Sequence, residues 1–266
     1  MSSSNCLQIM VDRPIAVILA GMHRSGTSLL GSYLMHSGID MGERLLGPNS
    51  SNIYGHFEDE EFLGLQKASL KRLTQDAEQG SNWLTKRLVS RRLPQFTVEE
   101  KAVAIDLVAR RRAKREPWGW KDPQTCLFLD FWAEVVPEAR FVFVFRHPLL
   151  VADSLCRRAN IPLGDKKKNS SALGMWIGYN REVLKFYYAH RERSILFSLE
   201  RAIENPNSLA GLLSKSIAYP FTAEKFSECF DPGVLNVQIN ERRRTSLRLW
   251  AKATRLHQQL LDISEL

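Results

Sequence analysis

Along this chain the apolar positions gather into four short, nearly unbroken runs, and between them they recur every three or four residues. Residues 15–20, IAVILA, lie between Pro14 and Gly21 and contain no polar side chain. A run of that length without a polar face reads as a strand buried on both sides, as in a parallel sheet. WGWK at 118–121 is a shorter strand that Pro123 breaks, RFVFVF at 140–145 is the clearest strand after the first, and 194–199 is the fourth. The three-to-four spacing predicts helices over 27–37, 58–74, 98–115, 127–135, 149–158, 173–190, 208–216 and 246–263. Gly38 stands where the first of these should stop, and the acids that open the second suit the positive end of a helix. Strands alternating with helices predict an α/β fold with a doubly wound, mainly parallel sheet flanked by helices. No repeat and no linker divides the pattern, so a single domain is expected over residues 1–266, with 1–13 a flexible N-terminus. NIPLGDKKKNSS at 160–171 reads as an exposed flexible loop.

Composition narrows the picture by exclusion. At 266 residues and 44% hydrophobic content the chain can bury a large core, which argues against disorder or a fibre. Its longest apolar runs fall far short of the ~20 residues of a membrane span, so stable membrane insertion is not expected. The opening MSSSNCLQIMVDRP lacks the basic and long apolar regions of a secretory signal, which points to the cytoplasm. Cys6, Cys126, Cys156 and Cys229 are widely separated and form no zinc or disulfide spacing, so free thiols are expected. The net charge of +8 fits nucleic acid, an anionic membrane or a small anionic ligand. The basic runs at 86–92, 110–115, 166–168 and 242–244 read as solvated helix faces and loops, and no nucleic-acid module accompanies them.

In a sheet of this kind ligands bind beyond the carboxyl ends of the strands, and the residues found there are basic and hydroxylic. After the first strand comes GMHRSGTS, residues 21–28. Gly21, Gly26 and Ser28 keep the register of the nucleotide-triphosphatase loop, but Thr27 stands where that loop has its lysine, and the nearest cation is Arg24. Backbone amides, the positive end of the next helix and the hydroxyls of Ser25, Thr27 and Ser28 make an anion cradle; the plainer alternative is a strand-to-helix turn with incidental serines. After the 140–145 strand comes RHPLLVADS, in which Arg146 offers a two-pronged donor and Ser154 a hydroxyl. Alone this pair is equally an ordinary arginine and a helical serine. Together the two segments imply a nucleotide with phosphates at two separated places. The missing lysine, and an arginine where a metal-holding aspartate would stand, disfavour a triphosphatase or kinase.

AGMHRSGTSLL resembles the 5′-phosphosulfate loop of the sulfotransferases that use 3′-phosphoadenosine 5′-phosphosulfate (PAPS), and FVFVFRHPLLVADSL resembles their 3′-phosphate strand and helix. NIYGHFEDEEF and WGWKDPQTCLFLDFW are similar to segments of bacterial members, and the likeness runs from about residue 15 to 201. The resemblance implies a P-loop-like fold and PAPS as donor, without a metal. The loop His23, Arg24, Ser25, Gly26, Thr27 and Ser28 would hold its 5′ end, with Arg146 and Ser154 on the 3′-phosphate. Arg24 would then contact the oxygen bridging phosphate and sulfuryl group. The transfer needs a base for a hydroxyl or amine acceptor. Glu58 is the family's positional match, although His56, where many relatives have an aromatic residue, has the more suitable ordinary pKa. Glu58 reads otherwise as an acid in the first turn of a helix. Lys121 resembles a lysine near the transferred group; its alternative is a partner for Asp122 or a surface charge. NERRRTS at 240–246 could add to the 3′-phosphate site, and Trp118, Trp120 and Trp132 read as core. The acceptor is expected to be a small molecule, carbohydrate or lipid met by loops 38–57 and 160–171. The rivals are a P-loop kinase of a small metabolite and a non-catalytic nucleotide-binding protein of the same fold.

Overall fold

The four apolar runs lie side by side as parallel strands. β1 (Ala16–Ala20), β2 (Trp118–Lys121), β3 (Arg140–Phe145) and β4 (Ser194–Ser198) form one sheet in the order β2-β1-β3-β4. The computed structural model describes residues 14–48, 55–72, 93–158, 166–233, 235 and 246–266. Successive strand residues point to opposite faces. Ile18, Trp120, Phe141 and Phe143 therefore enter one core, and Val17, Leu19, Val142 and Val144 the other. This is why β1 and β3 show no polar alternation in sequence.

Helices cover both faces. On the first lie α2 (Glu60–Arg72), α3 (Val98–Ala113), α4 (Leu129–Val135), α5 (Pro148–Arg158), α6 (Lys166–Ala189) and α10 (Leu247–Ile263), packed around a cluster that includes Trp118, Trp120 and Trp132. The three tryptophans are core residues, as the sequence suggests. On the second face lie α1 (Thr27–His36), α7 (Leu199–Glu204), α8 (Pro206–Ile217) and α9 (Ala223–Cys229). Beyond α10 the chain runs along the outer edge of β4, where the Glu265 amide donates to Leu196 O at 2.9 Å and the Ser198 amide to Leu266 O at 3.0 Å. That pairing covers an edge that would otherwise be open to association.

Two helix starts that bear on the site differ from expectation. α6 begins at Lys166, so the second half of the expected 160–171 loop is helix. Asn169, Ala172, Leu173 and Trp176 are all buried, which is a helical repeat hidden in sequence by the surrounding lysines and serines. α2 begins at Glu60, and its first-turn acids are Glu60 and Glu61 rather than Glu58. α7 and α9, one to two turns long, were not legible as periodic segments. The expected flexible N-terminus, Cys6, the runs at 86–92 and 242–244 and residues 160–165 of the loop lie outside the described residues. Cys126, Cys156 and Cys229 are free thiols. No described helix is long and apolar enough to cross a membrane.

Candidate active site

From β1 the chain goes to β2 on one side and returns to β3 on the other, so a crevice opens between the loops that follow β1 and β3. The first loop is tightly held. A Cβ on Gly21 would come 2.4 Å from Val144 O, and Gly26 has φ 87 with Leu199 Cδ1 2.6 Å from where its Cβ would be. Arg24 is itself left-handed, with φ 69. Gly26 caps α1 without a side-chain hydrogen bond, and the fully buried Ser25 Oγ has no hydrogen-bond partner. An uncapped helix start beside an orphaned buried hydroxyl is chemically suited to an anion. Thr27 is buried in the first turn, and Ser28 Oγ donates to His56 O at 3.4 Å.

The second loop meets the first directly. Arg24 Nε donates to Ser154 Oγ at 2.7 Å, and Arg146 Nη1 donates to Arg24 O at 3.1 Å. Trp176 Nε1 donates to Arg146 O at 3.0 Å and so fixes the start of that loop from α6. Residues 130 apart in sequence thus share one hydrogen bond, which brings the two expected anion positions side by side. Burial lowers the pKa of Arg24 and of Arg146, yet a guanidinium so perturbed is still a cation at neutral pH.

Lys121, at the end of β2, is the centre of the other half. It is 1% exposed, and its Nζ donates to Glu58 Oε1 at 2.8 Å, His56 O at 2.8 Å and Ser28 Oγ at 3.2 Å. It is neither a surface charge nor the hydrogen-bonded partner of Asp122. Asp122 instead accepts from the Gln124 amide at 2.8 Å and from Gln66 Nε2 at 2.7 Å, and burial, helped by the nearby Glu58 charge, pushes its carboxyl up to about 7. Burial lowers the pKa of Lys121 and Glu58 opposes that shift. Glu58 lies ahead of α2, in a segment held by the Leu46 amide donating to Glu58 O and the His56 amide donating to Leu46 O. His56 is 8% exposed and its buried Nε2 has no hydrogen-bond partner. Burial lowers its pKa, while Glu58 acts in the opposite sense. His23 stands edge-on to Tyr179 at 5.7 Å, and desolvation takes it down to about 4.

Two supporting residues escaped the sequence reading. Arg111, inside a basic run expected to be solvated, is 3% exposed and donates to the buried Asp59, next to Glu58, and to Glu61 Oε2 at 3.0 Å. Burial raises the Asp59 carboxyl, and Arg111 opposes that shift. The signal was present: Ala104, Leu107, Val108 and Arg111 lie on one buried helical stripe. Gln66 bridges Trp132 Nε1, at 3.3 Å, to Asp122 and thereby ties the core to the turn after Lys121. Among the described residues, no group of three His, Cys, Asp or Glu side chains could hold a metal ion.

No curated protein matches the chain significantly. Solved structures with similar folds include the sulfotransferase domain of the Synechococcus PCC 7002 olefin synthase, 18% identical, covering 92% of this chain and 94% of that one with a TM-score of 0.56. Sulfotransferase STF9 from Mycobacterium avium is 16% identical and covers 98% of this chain and 80% of its own, with a TM-score of 0.57. The sulfotransferase domain from the curacin biosynthetic pathway is 20% identical, with coverages of 95% and 98% and a TM-score of 0.52. At such identities these likenesses establish the α/β fold. The sequence itself matches the sulfotransferase family over residues 14–202, well over half its length, and the chain therefore belongs to that family of transferases.

Proposed function

We propose that this sulfotransferase takes its sulfuryl group from PAPS and passes it to a hydroxyl or amine of a small-molecule, carbohydrate or lipid acceptor. The observation that carries the reading is the Arg24–Ser154 bond, which joins a loop suited to one phosphate to a helix suited to another. The orphaned Ser25 hydroxyl and the uncapped start of α1 fit the 5′ end of such a nucleotide, held by His23, Arg24, Ser25, Gly26, Thr27 and Ser28. Arg146 and Ser154 fit its 3′-phosphate. Bound there, the donor would supply the sulfuryl group, whose bond to the phosphate oxygen breaks as the acceptor atom bonds sulfur.

The protein's part is charge and proton management. Arg24 faces the leaving phosphate and stabilises the charge it gains. Lys121, already among Ser28, Glu58 and the His56 carbonyl, is suited to the sulfuryl oxygens. Glu58 takes the acceptor proton, and His56, with its unbonded Nε2, is the rival base. His23, held neutral by burial, is a hydrogen-bonding rather than a charged contact. The whole chain is read as one such domain, and the widely spaced cysteines support a reducing, cytoplasmic setting.

Calorimetry tests the donor. 3′-Phosphoadenosine 5′-phosphate (PAP) should bind far more tightly than AMP or ATP, because each charge-assisted bond to the 3′-phosphate contributes about 1.5–3 kcal/mol. Equal affinity for PAP and AMP would remove the 3′-phosphate site. Labelled PAPS incubated with cell extract and the protein should then give a labelled sulfated product; tight PAP binding with no product would favour a binding protein that lost catalysis.

A further inference from the structure

Glu58 is held by more than its bond to Lys121. Lys121 Nζ donates both to Glu58 Oε1 and to His56 O, each at 2.8 Å, and Phe57 between them is left-handed, with φ 54. A phenylalanine adopts that backbone only where its surroundings hold it there. On both sides of Phe57 the chain is tied down. The His56 amide donates to Leu46 O at 3.0 Å, the Leu46 amide to Glu58 O at 2.8 Å and the Glu60 amide to Arg44 O at 2.9 Å. Asp59, directly after Glu58, is 1% exposed; its Oδ1 accepts from the Glu61 amide at 2.8 Å and its Oδ2 from Arg111 Nη2 at 2.5 Å. Residue 42 packs so closely on the same carboxylate that a Cβ on Gly42 would come 2.0 Å from Asp59 Oδ2.

Arg111 brings the end of α3 to this point from 52 residues along the chain. The same end of α3 grips the segments on either side: Lys114 Nζ lies 2.9 Å from Asp40 Oδ2 and 2.9 Å from Glu43 Oε1, and Arg110 Nη2 lies 2.9 Å from Glu61 Oε1. Exposed pairs of that kind contribute little each. The Arg111–Asp59 pair is different, because its side chains are 3% and 0% exposed. Two apolar side chains in its place could be as stable, so stability alone does not account for charges buried here. We propose that Arg111 is a positioning residue for the transfer: by holding Asp59 it keeps Phe57 left-handed and Glu58 against Lys121, where the carboxylate can reach the acceptor proton. The inference rests on the reading of Glu58 as the base.

The test takes Arg111→Met, Arg111→Lys, the double variant Arg111→Met with Asp59→Asn, and Glu58→Gln. Arg112→Met is the control, since it breaks the neighbouring pair to Glu138 Oε1, at 2.6 Å, on the same helix and away from Glu58. Two quantities are read on each folded protein: the rate of label transfer from saturating labelled PAPS to the acceptors of one cell extract, and acetylation of Lys121 by acetic anhydride, followed by mass spectrometry. Arg111→Met should lower the rate about 10- to 100-fold, leave PAP affinity as in wild type and make Lys121 severalfold more reactive, because a misplaced reacting group costs rate without costing nucleotide contacts. Arg111→Lys should recover part of the rate. Arg112→Met should lower the melting temperature yet keep the rate and the protection of Lys121. The double variant leaves no buried carboxylate unpaired, so it should fold even where Arg111→Met does not, and it should show the same loss of rate. A wild-type rate in the double variant, or equal losses in Arg111→Met and Arg112→Met, overturns the inference. A lost rate with Lys121 still protected also overturns it, because the effect would then bypass the Lys121–Glu58 pair. An inactive Glu58→Gln beside active Arg111 variants removes this inference alone, whereas an active Glu58→Gln removes the base reading on which it rests.

Discussion

The two halves of the cleft handle charge in opposite ways. On the Arg146 side Arg24 donates to the Ser154 hydroxyl and Arg146 to the Arg24 carbonyl, and the charge of Glu200 bears on Arg146. On the Lys121 side a buried ammonium meets a carboxylate, Glu58, together with a hydroxyl and a carbonyl. The first arrangement sets two guanidiniums at the loop ends beside a hydroxyl, and it is suited to capture of an anion. The second already pairs its buried ammonium with a carboxylate, and that held pair is suited to positioning a proton acceptor and a cation around a reacting group. One cleft thereby separates binding from chemistry, and substitutions should separate them too.

The largest effect is expected from Glu58→Gln. Glutamine keeps the shape and an oxygen for Lys121 but cannot take a proton. A loss of about 10²- to 10⁴-fold in kcat with unchanged PAP affinity would place general-base catalysis on the Lys121 side alone. His56→Ala should cost less; the reverse ranking would move the base to the histidine. Next comes Lys121→Met, which leaves Glu58 as a buried charge without its partner and should lower stability by about 3–5 kcal/mol in urea unfolding. Adding Glu58→Gln should restore much of that loss, and a stable Lys121→Met protein would break the description of this half as a closed pair.

On the capture side the effects should be smaller and confined to affinity. Arg146→Ala should weaken PAP by at least about tenfold and Ser154→Ala by a few fold, with the fold retained in both. If neither changes PAP affinity, the Arg146 half is not a capture site. The smallest signal concerns pH. Burial disfavours the charged imidazolium, which holds His23 near about 4 and His56 below its ordinary 6.5. As pH falls through 6.5 His23 therefore remains neutral, and any inflection that His56 gives kcat/KM should lie below 6.5. An inflection at 6.5 that disappears in His56→Ala would mean a solvated histidine and an open Lys121 side.

Much of the fold was legible because its signals are local. β1 and β3 announce themselves as apolar runs of strand length, and burial on both faces is the reason they lack alternation. α6 was underestimated at its start because KKKNSS is polar on average, while its buried positions appear only when counted at helical spacing. Glu58 was legible as a candidate but not its setting. Whether it lay in the first turn of α2 or ahead of it depended on pairing with residues 44–46, a contact no local pattern records.

The sequence by itself determined the strands, their parallel arrangement and the basic, hydroxyl-bearing loops at their ends, since strand and turn preferences act within a few residues. It also carried the two motifs, through spacings that are wholly local. Only the tertiary structure decided that Arg24 and Ser154 touch, that Lys121 pairs with Glu58 rather than with its neighbour Asp122, and that Arg111 is buried against Asp59. The physical reason is the same in each case. A buried charge takes whichever opposite charge or hydrogen-bonding group the folded chain brings within about 3 Å, and that proximity is set by strand order and helix packing, not by distance along the sequence.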